Sequence, residues 1–457
     1  MLPKYDLTTA REGILKRIPF DETAAPPVVQ QRITALFGEP LSAAQAVARI
    51  VQDVRRDGDA GLRKWADRLD GGAPAGFAVS PGEMRQALAD LPTDQRDALA
   101  LAIERVRRFH QAQPVTSWIT NALGGTLGQY VRPIRRVGVY VPAGSAPLPS
   151  SALMSVVPAQ AAGVAQIALV APPQRATGRV APIILAAAAM LGIEEMYAIG
   201  GAQAIAALAF GTQSIAAVDK IVGPGNLFVS LAKRQLYGVV GIDGYAGPTE
   251  TMVIADDSAQ PAWVAADLLA QAEHDVLASA ILLSPSERLI EQVRQEVARQ
   301  AAERSRQDVL VESLANRSGA VLVRDLEEAV QVANEYAAEH LCLAVRDAWR
   351  LAEQVYAAGG VFVGEHSCEV LGDYVAGPSH VMPTGGTARF SSPLNVLDFV
   401  HIVSLVALDA ETSRAIAPAA AALAKTEGLD AHANAARVRL HTRTTPSGTS
   451  DYAPERQ

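Results

Sequence analysis

Four polar clusters stand in otherwise apolar segments of the chain: Gln271-Ala272-Glu273-His274, Glu339-His340, Gly372-Asp373-Tyr374 with His380 close behind, and Glu427 with His432. Together they supply neutral imidazoles, a carboxylate and a spare acid/base pair from distant parts of the sequence. Those are the side chains a catalytic zinc site requires. A carboxylate beside an imidazole, as in Glu339-His340, is also a natural acid/base pair.

Each cluster has a plainer reading when taken alone. Behind Pro261, Val264 and Leu268 set an apolar helical stripe, and Gln271 and His274 fall on one face at i, i+3. Polar groups on an apolar stripe need partners, and a metal ion would satisfy both, but a single histidine near a helix end is more often a satisfied core residue. Glu339-His340 sits between a helix and the apolar run Leu341 to Val345, where spacing alone favours a salt-bridged surface dipeptide. Asp373 and His380 lie in a stretch dense in Gly and Pro, from Gly364 to Gly386, directly after an expected strand. Loops after strands are where α/β enzymes place their sites.

The elements that must position these residues follow from periodicity. Val47, Ile50, Val51 and Val54 recur at helical spacing behind Ser42 as N-cap and end at Gly58, and the first hundred residues read as largely helical. After Arg136, β-branched runs alternate with Ala-rich helices, with strands expected at Val137 to Val141, Ile167 to Val170, Met196 to Ile199 and Val218 to Val222. A second alternating region begins near Thr251, with strands at Met252 to Ile254, Ala280 to Leu283, Ala320 to Val323 and Val361 to Val363. Ser284-Pro285-Ser286-Glu287 reads as a capping box with proline at the first helical position, and Asp325 to Glu328 repeats that logic. Alternation of this kind predicts two parallel sheets wrapped by helices, one before and one after about residue 248. From about Val396 the tail reads as mostly helical, with a loose polar end.

Composition excludes some functions. At 457 residues the chain exceeds one hydrophobic core, and 49% hydrophobic residues argue against extensive disorder. A net charge of −8 with no Lys/Arg-rich run gives no footprint for nucleic acid. With only Cys342 and Cys368 the chain reads as a cytoplasmic protein with reduced thiols, and the opening residues carry no signal-peptide core. Val137 to Gln174 is uncharged, but its prolines argue for strand, loop and helix rather than a membrane span. For a nucleotide, the nearest phosphate-loop pattern is Gly223-Pro224-Gly225-Asn226 after Lys220-Ile221-Val222, with Phe228 where a third glycine would stand. Gly200-Gly201-Ala202-Gln203 is a second strand-to-helix glycine turn.

Read together, Val137 to Pro142, Gly200 to Leu208, Val218 to Asn226, Gln271 to His274, Glu339 to Leu341, Gly372 to Gly377 and Glu427 to His432 resemble the histidinol dehydrogenase family, in the family's order. The resemblance implies a zinc-dependent enzyme that uses two NAD to take L-histidinol, by way of L-histidinaldehyde, to L-histidine, the last step of histidine biosynthesis. It implies metal ligands at Gln271, His274, Asp373 and His432, a general base at His340, and a water-activating carboxylate at Glu339. Tyr140, Gln203 and Asn226 match nucleotide-contacting positions. Thr249, His380 and Glu427, with His340 and the four ligands, match positions at the substrate. The family is a homodimer whose C-terminal segment crosses over, so Glu427 and His432 would complete the partner's site.

The expected fold class is α/β, with two Rossmann-like parallel-sheet domains in one globule plus small helical N- and C-terminal parts. The division is an N-terminal helical segment 1–24, a discontinuous metal-binding domain 25–136 with 249–392, a NAD-binding domain 137–248, and a C-terminal helical segment 393–457. Thr249 stands where serine is usual, Ala338 and Cys368 replace prolines, and His401-Ile402 replaces a common Lys-Arg pair. A paralogous dehydrogenase of another small alcohol, such as a sulfonated propanediol, is the alternative. A zinc hydrolase using Glu339 would have no need of the two glycine turns.

Overall fold

A computed structural model describes residues 2–17, 27–72, 74, 76–143 and 147–441. The chain divides into two compact units, one of residues 1–113 and 133–400 and the other of 114–132 and 401–457. The larger unit is built on two six-stranded sheets.

One sheet runs, edge to edge, Ala78–Val79, Glu195–Ala198, Gln166–Ala171, Arg136–Tyr140, Lys220–Val222 and Gly241–Ile242, all parallel but the first. Its inner strands are apolar throughout because both faces are covered, as parallel strands require. Val137, Val139, Leu169 and Met196 pack under Met84, Ile103, Val106 and the helix Pro149–Ala161. Ala168, Val170 and Ile221 face Val47, Ile50, Leu62, Trp65 and the Ala-rich helix Gly201–Phe210. The helices of residues 43–111 therefore lie on this sheet, whereas the sequence reading joined 25–136 to the other. The decisive factor is their apolar stripes, whose Val and Trp side chains interlock with the small alanines of Gly201–Phe210.

The other sheet runs Lys4–Asp6, Gly319–Leu322, Ser279–Ser284, Glu250–Ala255, His340–Ala344 and Gly360–Val363, all parallel. Val253, Leu282 and Cys342 pack against the helices Pro261–Ala272 and Glu287–Ala301, and Ile254, Leu283 and Leu343 against Leu326–Tyr336. The strand Lys4–Asp6 was hidden in a segment expected to be helical, since a short edge strand is built from charged residues that carry no periodic signal.

Local stop and start signals hold with one shift. Ser42 and Gln45 close a capping box on Ala43–Asp57, and Gly58 caps its end at φ +57°. Asp325 accepts from the Glu328 amide as expected. In Ser284-Pro285-Ser286-Glu287 the cap is Ser286, whose hydroxyl accepts from Leu289, so Pro285 lies outside the helix. Ser284 ends the preceding strand instead, its hydroxyl accepting from the Ser286 amide.

The smaller unit holds the three-stranded sheet Val400–Ala407, Thr126–Pro133 and Trp118–Thr120, followed by helices Ala410–Thr426 and Asp430–Arg437. The tail is thus not helical from Val396 onward. Val400, Ile402, Val403 and Val406 favour an extended chain, and the first helix waits for the Asp409 cap. The expected loose polar end falls outside the described residues.

No described helix is long and apolar enough to cross a membrane, and the described residues between 137 and 174 include strand, helix and strand. Gly223 ends the strand Lys220–Val222 at φ +107°, and a Cβ there would stand 2.2 Å from the Tyr140 carbonyl oxygen. Backbone cannot yield as a flexible side chain can, so Gly223→Ala is expected to destabilise the protein by about 1–3 kcal/mol. Its denaturant midpoint would fall; an unchanged midpoint would mean the turn accepts a side chain.

Candidate active site

Both large sheets change direction of winding midway. In the sheet of residues 78–242 the break lies between Arg136–Tyr140 and Lys220–Val222, and in the other between Glu250–Ala255 and His340–Ala344. Such a break opens a crevice because successive connections leave in opposite directions.

At the first break the nucleotide candidates stand at the carboxyl ends of the strands. Tyr140 ends its strand buried, and its hydroxyl accepts from the Gly201 amide at 3.2 Å. Gln203 is wholly buried; its amide nitrogen donates to Asp70 at 3.1 Å while its carbonyl oxygen has no partner. Burial raises Asp70 to about 6. Asn226 is exposed and caps Leu227–Leu236 through the Phe228 and Val229 amides. A cavity of about 160 Å³ lies between the Gly223 turn and the stretch after His380, lined among others by Pro224, Lys233, Asp243 and Met382.

At the second break the polar residues gather at the amino ends of the strands, opposite to the usual edge. Helix Leu326–Tyr336 stops at Ala337, which takes a left-handed φ of 51°, and the chain turns through Ala338 and Glu339 into the strand at His340. The parallel register sets Thr251 beside His340. Arg17 pairs with Glu250 and donates to the Tyr336 carbonyl at 2.9 Å, holding the two strand entries together.

A hydrogen-bonded chain crosses this edge. The Gln271 amide nitrogen donates to the Thr249 hydroxyl at 2.5 Å, and that hydroxyl donates to Glu339 at 2.5 Å. Glu339 also accepts from the Glu250 amide at 3.1 Å and lies 3.7 Å from His340 Nδ1. His340 Nε2 meets Asp373 Oδ1 at 3.0 Å, and the Asp373 carbonyl is met by His380 Nδ1 at 2.7 Å. Glu339 and His340 are 8% and 3% exposed, so their charges interact with little solvent screening.

The electrostatics follow from that burial. Burial pushes the Glu339 carboxyl up against the opposing pull of His340. For His340 burial pulls downward, but Glu339, the Asp373 hydrogen bond and Glu369 outweigh it and raise the imidazole. Asp373 is lowered despite burial because the His340 hydrogen bond and the charges of His340, His380 and His274 favour the carboxylate. His274 and His380 are both lowered, chiefly by desolvation.

Thr249, Gln271, His274, Glu339, His340, Asp373 and His380 thus share one neighbourhood. His274 stands just past the cap of Pro261–Ala272 and is more open to solvent than buried Gln271. Glu427 caps Ala410–Thr426 and His432 lies on Asp430–Arg437, both exposed in the smaller unit.

Among the described residues no three His, Cys, Asp or Glu side chains gather as a metal site by themselves. The donor chemistry nevertheless fits a cation. Among those residues, neither the Gln271 carbonyl oxygen nor the His274 ring makes a hydrogen bond, and the Asp373 carboxylate acts on His274 by charge.

Sequence reasoning missed Thr251, Asp267, Phe362 and Glu369. Asp267, raised to about 6 by burial and then by Glu365, had a signal: it lies three residues after Val264 and four before Gln271 on the apolar stripe. Glu369 had none, because a short turn Glu369–Leu371 running into a π-helix Gly372–Ala376 leaves no period to read.

Comparison with known proteins identifies the family. The family model described as histidinol dehydrogenase matches residues 39–440. The histidinol dehydrogenase of Deinococcus radiodurans is 52% identical, covering 92% of this chain and 96% of that protein, and that of Moorella thermoacetica is 49% identical over 87% and 94%. The crystal structure of histidinol dehydrogenase from Elizabethkingia anophelis superposes with a TM-score of 0.87 at 33% identity, covering 96% of this chain and 98% of that one. The chain belongs to the histidinol dehydrogenase family and is an oxidoreductase.

Proposed function

We propose that the protein carries out the NAD-dependent, four-electron oxidation of L-histidinol to L-histidine through L-histidinaldehyde, with a zinc ion in the site, as a cytoplasmic homodimer that shares its sites across subunits. The observation that carries this reading is the buried Glu339-His340 pair with Asp373 on the imidazole and Thr249 on the carboxylate. Two distinct proton acceptors at one place are what an oxidation passing through a hydrated aldehyde needs.

In this reading Gln271, His274 and Asp373, with His432 of a second subunit, hold the zinc. Bound there, the cation would supply a fixed charge that orients the amine and imidazole of the substrate, and NAD would supply the hydride acceptor of each oxidation. His340 takes the hydroxyl proton as each hydride leaves. Glu339 takes a proton from the water that adds to the aldehyde, a role suited by a carboxyl that burial makes more basic. A ligand role for Asp373 would withdraw one of the charges that raise His340, Glu339 being the larger. Thr249 holds Glu339 and Gln271 in register, and Glu427 and His380 line the substrate.

Tyr140, Gln203 and Asn226 fit a nucleotide at the carboxyl edge of the first sheet, where the orphaned Gln203 oxygen offers an acceptor. We assign NAD binding to residues 137–248. The metal site falls to 249–392, and the segment after 393 would complete the partner's site.

Purified protein is expected to form NADH from histidinol, to lose that activity on chelation and to regain it with zinc. NADH formation from another small alcohol and none from histidinol would move the assignment to a paralogous dehydrogenase. His340→Ala is expected to keep its zinc by elemental analysis while kcat falls by about 10²–10⁴-fold; full activity would remove His340 from the chemistry. His432→Ala is expected to lose metal, and mixing it with an inactive His274→Ala protein should restore part of the activity. No rescue in verified heterodimers would mean self-contained sites.

A further inference from the structure

Asp373 has to reach the amino edge of the sheet from a strand, Gly360–Val363, that leaves at the carboxyl edge. The segment that brings it back is fastened midway. Thr251, wholly buried on the interior strand, donates its hydroxyl to the Glu369 carboxylate, and Glu369 is itself 1% exposed. Thr251 is the register partner of His340, and Asp373 follows Glu369 by four residues through a π-helical turn. A closed loop results: Thr251 to Glu369, along the turn to Asp373, across to His340, and back through the strand ladder.

The space around this loop is filled. Phe362 packs on the His340 ring with centroids 5.6 Å apart, and a Cβ on Gly372 would stand 2.4 Å from Phe362. The turn therefore approaches as closely as glycine allows, and a π-helical turn is itself a costly geometry that other contacts must hold in place. A buried carboxyl also costs free energy unless it is used. Burial raises Glu369 to about 8, which favours the uncharged carboxyl, and glutamine is its close mimic.

We propose that Glu369, through Thr251, is a positioning residue that fixes the Asp373 carboxylate for its two tasks, meeting His340 and holding the cation. The second task rests on the zinc reading given above; the first does not.

Hydrogen exchange of the metal-free protein and zinc affinity by competition with a chelator test this in Thr251→Val, Glu369→Leu and Glu369→Gln. Thr251→Val keeps side-chain shape, so it retains the fold should Glu369→Leu fail to. The amides of residues 369–376 are expected to exchange about tenfold faster in the Val and Leu variants, and zinc to bind about 10–100-fold more weakly. Glu369→Gln should stay within a few-fold of wild type in both. Wild-type exchange in Thr251→Val overturns the proposal, as does faster exchange with undiminished zinc affinity. A wild-type protein that binds no zinc would instead sink the metal reading, and the exchange comparison would still decide whether Glu369 and Thr251 hold the segment.

Discussion

The contact between His340 and Asp373 is the constraint on which the site depends, because it joins a strand entry to a segment that arrives from the far edge of the same sheet. A buried imidazole has to be satisfied at both nitrogens. Here one faces the backbone carbonyl of Glu250 and the Glu339 carboxylate, and the other faces Asp373. Everything nearby follows from keeping those partners in place: the left-handed Ala337, the Arg17 bridge between strand entries, and the glycine that lets the turn pass Phe362.

The concentration of acids around that contact has a physical consequence. Glu339, Glu369 and Asp267 are all raised, mainly by burial, and only Asp373 is held ionised by its histidine neighbours. A pocket of this kind favours any added positive charge, whether protons or a cation, since each relieves several carboxylates at once. The carboxyl edge of the other sheet offers a contrast. There the groups are glycine turns, an amide on Asp70, a phenol and the paired Lys233 and Asp243.

The two sheets differ in which edge they use, and strand patterns could not reveal it. Both have a winding break, and a crevice is expected beyond the carboxyl ends. Tyr140 and Gly223 obey this, but Thr249 and Glu339 precede their strands and His340 opens its own. Asp373 follows its strand, as its sequence position suggested, and yet doubles back to the amino edge. Periodicity gives the direction of no loop, so this path could be read only from the fold.

What the sequence determined by itself is considerable. Apolar runs bounded by glycine and proline located the inner strands to within a residue or two, and Ser42, Gly58 and Asp325 marked helix ends, because these signals are local and need only neighbours in the chain. The clusters at 271–274, 339–340 and 373–380 were visible as polar residues in apolar surroundings. Tertiary structure alone decided that the helices of 43–111 cover the sheet of 78–242, that charged Lys4–Asp6 is a strand, and that Thr251 and Glu369 stand behind the Glu339-His340 pair. Those outcomes depend on which surfaces meet, and a contact between residues more than a hundred positions apart leaves no imprint on the spacing of either.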